Sequence, residues 1–350
     1  MNNNNNITKS NKKDLLGMTR EELSRYFSEV GEKKFRAKQI LQWIYQHRLR
    51  DFEPMTDLSI PLRCKLDEKA EIGRLEVPKK VSSPDGTTKL LFKFDDGATV
   101  EAVYIPADNR RTACLSTQVG CSLGCSFCAT GNMGFARNLT VREIIGQFIG
   151  IEEALDVSLT NVVLMGMGEP LLNLPAVLSA LDIMTDKCAL ALGHRRIVVS
   201  TVGIPDKIEE LRRSGLAPKL AISLNAPDDG LRRGIMPAAA EIAMIPAILD
   251  AAARFATDTG RWFTVEYVLL AGINDSLDHA DQLAELILQL PCKVNLVRYN
   301  PVDSLPYDSP SDEAVLKFQG YLLAAGVTAT LRDSKGQSIS AACGQLATKT

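Results

Sequence analysis

From Asn161 onward, short apolar runs alternate with longer stretches of helical spacing, and that alternation restricts the chain to a parallel sheet built from repeated strand–helix units. Strands are expected at Ala113–Thr117, Asn161–Met165, Arg196–Ser200, Lys219–Leu224, Thr264–Leu270, Lys293–Tyr299 and Val327–Arg332. Helices such as Thr140–Leu155 and Leu277–Leu290 fall between them and supply the crossovers that parallel pairing needs. Several strand candidates end in polar or glycine-rich residues. In a strand–helix barrel the carboxyl ends of the strands carry the reactive face, so this pattern predicts a ligand-lined mouth on an open or partial barrel.

The first ninety or so residues follow another pattern, with helices expected around Arg20–Arg50 and Ile60–Ala70 and strands near Leu75–Val81, Lys89–Phe94 and Thr99–Ile105. The expected division is a disordered tail over 1–18, a small α+β accessory domain over 19–95 and a catalytic domain over 96–350. Between Lys33 and Arg50 stand six Lys or Arg and no Asp or Glu, with Phe35, Trp43 and Tyr45 interleaved. A basic face of this kind can hold a phosphate backbone. The competing reading is a solvated helix face over a small core of Ile40, Leu41 and Ile44. A formal net charge of −2 means that any nucleic-acid contact must come from a local patch.

With 350 residues, 45% of them hydrophobic, the chain is long enough for one large domain and a small one. No apolar run approaches the roughly 18 residues of a membrane helix, and no charged-then-apolar leader opens the chain. No membrane association is expected. The eight cysteines read as free thiols, which places the protein in a reducing compartment, the cytoplasm.

Three of those cysteines form the run Cys121-Ser-Leu-Gly-Cys125-Ser-Phe-Cys128. Three thiolates are one short of a closed tetrahedral site, and His47, His194 and His279 are distant in sequence. A four-iron cluster held by three cysteines keeps one iron open, and S-adenosylmethionine (SAM) can chelate it through its amino and carboxylate groups. That is the radical-SAM reading; a zinc knuckle or a disulfide cluster is the competing one. The strand at Asn161–Met165 runs into Gly166-Met-Gly168-Glu169-Pro170, where small residues let the backbone approach a ligand and Glu169 can accept hydrogen bonds from an ammonium group.

The chain resembles the RlmN/Cfr family of radical-SAM RNA adenosine methyltransferases. The resemblance is carried by Phe-Arg-Ala-Lys-Gln-Ile-Leu-Gln-Trp-Ile-Tyr at 35–45, Met-Thr-Asp-Leu at 55–58, the cysteine run within 119–131, Gly-Met-Gly-Glu-Pro at 166–170 and Ala-Ala-Cys-Gly-Gln-Leu at 341–346. The stretch Cys-Ala-Thr-Gly-Asn-Met-Gly-Phe-Ala-Arg-Asn-Leu from Cys128 is similar to the RlmN branch. It implies a fold of class α/β, a partial (βα)6 radical-SAM barrel with a small α+β accessory domain. A [4Fe-4S] cluster would sit on Cys121, Cys125 and Cys128, and SAM on Gly168, Glu169, Ser200, Ser223, Leu224, Asn225 and Asn300.

The resemblance further implies a sulfur relay. One SAM methylates Cys343, a second yields an adenosyl radical that removes a hydrogen from the new methyl group, and the resulting carbon radical adds to adenine. Glu101 would take the ring proton, and Cys114 would attack the Cys343 sulfur, forming a disulfide as the RNA leaves. Cys64, Cys188 and Cys292 match no part of the relay and read as packing residues.

The expected product is adenosine methylated at carbon 2 in 23S rRNA and in tRNA, made by a monomer with a low-potential donor such as flavodoxin or ferredoxin. The alternatives are methylation at carbon 8, a non-catalytic iron–sulfur RNA-binding protein, and a radical-SAM enzyme acting on a small substrate. Two positions depart from the family pattern: Asn225 stands where many members carry His, and the stretch from Met236 to Glu241 lacks the polar and basic residues common there.

Overall fold

The computed structural model describes residues 12–348. Its smaller compact unit is the chain up to Arg74 together with Asp182–Ala191; the larger is Leu75–Leu181 with Leu192–Thr350.

In the smaller unit β1 (Lys13–Asp14) pairs in parallel with β2 (Ala70–Glu71), and between them in sequence lie the α-helices α1 (Arg20–Glu29), α2 (Arg36–Leu41), which a π-helical turn over Gln42–Gln46 continues, and α3 (Ile60–Lys69). Thr19 and Glu22 form a reciprocal capping box that starts α1. Apolar side chains of these elements, Leu23, Phe27, Ile40, Leu41, Ile44 and Leu66 among them, are almost completely buried. The tail expected over 1–18 is corrected for its described part. Residues 1–11 lie outside the described residues, but Leu15 and Leu16 are buried, and Asp14 Oδ1 accepts hydrogen bonds from Leu16 N and Gly73 N, each at 2.9 Å. Two apolar side chains with a strand partner have a reason to order that composition alone did not reveal.

The larger unit opens with an antiparallel meander of β3 (Glu76–Ser82), β4 (Thr88–Lys93), β5 (Thr99–Ala107) and β6 (Arg110–Cys114). A short ribbon, β7 (Gln118–Gly120) with β8 (Phe135–Asn138), then encloses a loop and the single-turn α4 (Ala129–Asn132). Next comes α5 (Val141–Leu155), whose Thr140–Glu143 capping box satisfies its first turn. Strands and helices then alternate: β9 (Asn161–Leu164), α6 (Leu174–Thr185), β10 (Ile197–Thr201), α7 (Pro205–Arg213), β11 (Lys219–Ser223), α8 (Asp229–Ile235), α9 (Pro237–Ile242), α10 (Ile245–Thr259), β12 (Phe263–Leu269), α11 (Leu277–Ile287), β13 (Cys292–Arg298), α12 (Asp312–Ala324) and β14 (Ala329–Arg332).

All the strands but the two short pairs join one sheet, in the order β14-β13-β12-β11-β10-β9-β6-β5-β4-β3. From β6 through β14 the neighbours are parallel, and each of β6, β9, β10, β11, β12 and β13 is followed by a helical crossover. That is the expected partial (βα)6 arrangement, left open with β3 and β14 as its edges among the described residues.

The expected accessory boundary at 95 differs from the compact boundary between Arg74 and Leu75. Residues 76–93 form β3 and β4, which hydrogen-bond through β5 into the main sheet. Side-chain packing locks them there: Gly150 of α5 leaves room for the Phe92 ring and Gly146 for Leu75, and an added Cβ would come within 2.6 and 2.7 Å of those side chains.

Candidate active site

The three-cysteine run is anchored by the ribbon. Gly120 has φ +75°, and a Cβ there would lie 1.9 Å from the Gly134 carbonyl oxygen, so only glycine lets the two strands close at the base of the loop. Cys121, Cys125 and Cys128 all line a cavity of ≈180 Å³ at the carboxyl end of the sheet. Burial pushes the Cys121 thiol up to about 11, and burial together with Cys128 and Cys121 pushes Cys125 up further. Among the described residues no histidine lines the cavity beside the three thiols, so the fourth ligand of a closed zinc site is not His47, His194 or His279. Three thiols spread round a cavity fit a polynuclear cluster and could hold one through three of its irons.

Opposite the thiols, the turn after β9 brings Glu169 into the same cavity. An added Cβ at Gly166 would meet the Leu115 carbonyl at 2.7 Å; Gly168, at φ +97°, would meet Gln118 Cβ at 2.5 Å. The turn therefore needs glycine for space at both positions and for conformation at the second. Gln118 fixes it further by accepting from Glu169 N at 2.8 Å. The Glu169 carboxylate is 3% exposed and accepts from Leu171 N and Val202 N, each at 2.9 Å. Among the described residues no cation offsets its burial, which raises its pKa to about 7 against the hydrogen bonds that pull the other way. A buried carboxylate that lacks a counter-charge suits a cationic ligand.

Ser200 and Ser223, at the ends of β10 and β11, line the cavity with their hydroxyls 3.3 Å apart. Asn225 also lines it, at φ +62°, its Oδ1 accepting from Val268 N at 2.9 Å and its Nδ2 directed at the Met236 sulfur. Asn300 lines it too, with its amide spent on the carboxyl-terminal segment: Nδ2 donates to the Cys343 carbonyl at 3.2 Å and Oδ1 accepts from Gln337 at 2.7 Å. Leu224 does not line the cavity; its side chain is buried, and its backbone N donates to Ile222 and Glu266 carbonyls.

Cys343 is exposed and lines both this cavity and a larger one, of ≈720 Å³, that runs along the inside of the open sheet. Cys114, at the end of β6, is buried and lines the larger cavity; burial first and Cys343 second push its thiol up to about 12. Glu101 lies in neither lining. Its carboxylate pairs with Lys89 at 3.0 Å and accepts from Ala347 N at 3.0 Å. The same tail is pinned by Thr130 to the Leu346 carbonyl, Ala129 N to the Gly344 carbonyl and Lys89 to the Ser340 carbonyl.

Sequence reasoning missed two groups beside the cysteines. Arg332, at the end of β14, and Glu266, on β12, line both cavities. Cys343 above all, then Glu266 and Cys114, hold the largely buried guanidinium charged against desolvation. Inward alternation along a strand ending at Arg332 is the signal that could have found it. A third missed residue, Arg232, is completely buried, and donates to the Val202 carbonyl at 2.6 Å and the Ala239 carbonyl at 3.1 Å, bracing the loop that holds Glu169.

An open parallel sheet whose carboxyl end carries three thiols and a buried acid round one cavity is the architecture of a radical-SAM enzyme. The Radical SAM superfamily matches residues 115–287, and the ribosomal RNA large subunit methyltransferase N-terminal domain matches residues 13–72. The dual-specificity RNA methyltransferases RlmN of Nitratidesulfovibrio vulgaris and Oleidesulfovibrio alaskensis are 46% and 48% identical over 345 and 343 residues. The alignments span 95% of this chain in both cases, and 94% and 95% of the relatives. The crystal structure of a radical SAM methyltransferase from Sphaerobacter thermophilus matches with a TM-score of 0.89 at 40% identity, over 95% of this chain and 99% of that one. The chain belongs to the RlmN family of radical-SAM RNA methyltransferases.

Proposed function

We propose that this enzyme methylates carbon 2 of an adenosine in 23S rRNA, and in tRNA, by way of a methyl group carried on Cys343. The observation that carries the reading is the position of Cys343, which lines both the cavity shared by the three thiols and Glu169 and the larger one that holds Cys114. Cys121, Cys125 and Cys128 would hold a [4Fe-4S] cluster, and Gly168, Glu169, Ser200, Ser223, Asn225 and Asn300 would hold SAM, with Leu224 contributing backbone only. When bound, these groups supply the methyl group and the one-electron cleavage of SAM that generates a hydrogen-abstracting radical.

The chain's own residues do the rest. Cys343 loses its thiol proton on accepting the methyl group and, after hydrogen abstraction, bridges to the adenine through that carbon. The adduct radical gives up one electron, which a cluster held by Cys121, Cys125 and Cys128 would take, and its ring proton goes to Glu101, restoring the aromatic ring. This role requires the Glu101 carboxylate to give up both its ion pair with Lys89 and its hydrogen bond from Ala347 N. Cys114 then attacks the Cys343 sulfur. The sulfur–carbon bond breaks with its electron pair on carbon, which takes a proton and leaves as the product methyl group, and the two cysteines remain as a disulfide. A thiol reductant resets the pair, and a flavodoxin- or ferredoxin-type donor supplies the cluster electron.

The eight free cysteines suit the cytoplasm, where thiols stay reduced. No described helix is long and apolar enough to cross a membrane. In the small unit, exposed Lys33, Lys34 and Lys38 support an RNA-contacting role; of the aromatics among them Phe35 is 54% exposed, whereas Tyr45 is buried with its hydroxyl accepting from Gly17 N. The test is to treat 23S rRNA and tRNA with the reduced holoenzyme, digest them to nucleosides and compare the products with both methyladenosine standards by mass spectrometry. 2-Methyladenosine is expected. 8-Methyladenosine would move the enzyme to the other branch, and an unmodified digest would overturn the reading.

A further inference from the structure

The alternation that aims Ser200, Ser223 and Cys114 into the barrel has a consequence at the opposite end of the same strands. Counting back four residues, the inward row reaches Lys219 from Ser223, Arg110 from Cys114 and Lys293 from Val297, and Arg196 stands in the 3-10 turn immediately before β10. All four cations line the ≈720 Å³ cavity, as does Arg195. The amino end of the open sheet is thus ringed by positive charge. Each strand rises about 3.3 Å per residue, so the ring lies roughly 13 Å from the level of the SAM-side residues.

Only Glu266, which lines the same cavity, acts on this ring as an opposite charge among the described residues, and it does so on Lys293 alone. Among the described residues, none of these five side chains makes an ion pair or a side-chain hydrogen bond. The contrast with the outer face of the barrel is plain. There Arg212 and Arg213 share Glu209, and Lys207 pairs with Glu210 at 2.7 Å. Partial burial above all, and then the like charges of Lys293, Arg110, Arg261 and Arg195, hold the Lys219 ammonium below its usual value. Two carboxylates do line the cavity, Glu266 and Asp333. Glu266 is deeper, held by Asn295 at 3.0 Å and beside Arg332.

Between the ring and Cys343 the wall changes character. Thr112, Asn161, Thr264, Asn295 and Thr330 present hydroxyls and amides without net charge. A cationic rim, a hydrogen-bonding passage whose charges are the opposed Glu266 and Arg332, and a sulfur at the far end match the three parts of a nucleotide: phosphate, sugar and base.

We propose that this cavity is the entry path of the target nucleotide, with the single-stranded RNA phosphates that flank it bound by Arg110, Arg196, Lys219 and Lys293 while the unstacked base passes inward to Cys343. The path rests on the reading of the protein as an RNA methyltransferase that uses Cys343. It adds which face of the barrel takes the RNA and which side chains hold it. The base arrives from the amino end of the strands, whereas the residues assigned to SAM stand at their carboxyl end, so nucleotide and SAM approach Cys343 from two directions. Unpairing and unstacking are required because an adenine ring in a duplex cannot enter such a passage.

The test uses the holoenzyme with a 23S rRNA fragment that wild type methylates, and compares Lys219→Glu/Lys293→Glu with a control reversal on the outer face, Lys207→Glu/Arg213→Glu. SAM binding and RNA-free SAM cleavage report that the site is intact; if the double reversal loses them, the milder Lys219→Gln/Lys293→Gln replaces it. The expected result is RNA affinity at least tenfold weaker than in the control. The slope of log affinity against log salt should also be shallower by about 1.4, at about 0.7 for each single-stranded phosphate that is no longer neutralised. Affinity and slope equal to those of the control, with methylation intact in wild type, would overturn the entry path and leave the RNA methyltransferase reading standing. Wild type that neither binds nor methylates RNA would overturn that reading, and the path with it.

Discussion

Glu169 couples SAM binding to pH, and the size of the effect follows from its surroundings. The carboxylate is 3% exposed, accepts two backbone N–H groups and faces no cation among the described residues; before ligand binds, its pKa stands at about 7 rather than 4.5. The folded, ligand-free protein therefore holds a proton that the unfolded chain has lost between about pH 4.5 and 7, so stability falls as pH rises through that window, and levels off above it. The shift corresponds to roughly 3 kcal/mol at its full extent. Glu169→Gln removes the dependence.

For a ligand that presents amino N–H groups, the proton is a competitor. With the carboxyl at about 7, about a tenth of ligand-free sites are ionised at pH 6 and about three quarters at pH 7.5. SAM should bind about eightfold tighter at pH 7.5 than at pH 6, in a range below that in which an α-amino group titrates. Anaerobic equilibrium dialysis of labelled SAM against the holoenzyme measures this. The Glu169→Gln variant should bind more weakly at pH 7.5 and show almost no slope. A flat wild-type profile, or an equal slope in the variant, would refute the role assigned to Glu169.

Two other changes probe the relay and the turn. Cys114→Ala should trap a covalent protein–RNA species, visible as a shifted band on a denaturing gel, because the sulfur that releases the methylene bridge is gone; Cys343→Ala should yield none. Gly168→Ala places a Cβ 2.5 Å from Gln118 at φ +97°, and should cost about 2 kcal/mol or more, read as a lowered Tm, with SAM affinity lost alongside.

Local signals carried much of this fold. The inward row of β13 and its neighbours is a period-two pattern written in consecutive residues, and the cysteine run and the Gly-Met-Gly-Glu turn are short enough for their spacing to state their chemistry. What sequence reasoning missed depends on distant partners. Leu15 and Leu16 order because β1 finds β2 at Ala70, more than fifty residues away. The accessory boundary moved because Phe92 and Leu75 fill spaces left by glycines on α5. Asp182–Ala191 joins the smaller unit, where Arg20 pairs with Asp186 and Gln46 donates to the Lys187 carbonyl at 2.9 Å. Arg332 and Glu266 passed as ordinary strand residues, since only the closed inward row shows that they face the two cysteines. The ion pair of Glu101 with Lys89 and its bond to Ala347 N are likewise invisible without the folded tail.

The most direct test of the account asks whether Cys343 carries the methyl group. The cluster is reconstituted anaerobically, SAM with an isotopically labelled methyl group is supplied, and peptides are examined by mass spectrometry. Label on Cys343, absent from a Cys121→Ala control, is the predicted result. An unmodified Cys343 in protein with a full cluster and demonstrable SAM cleavage would contradict the relay.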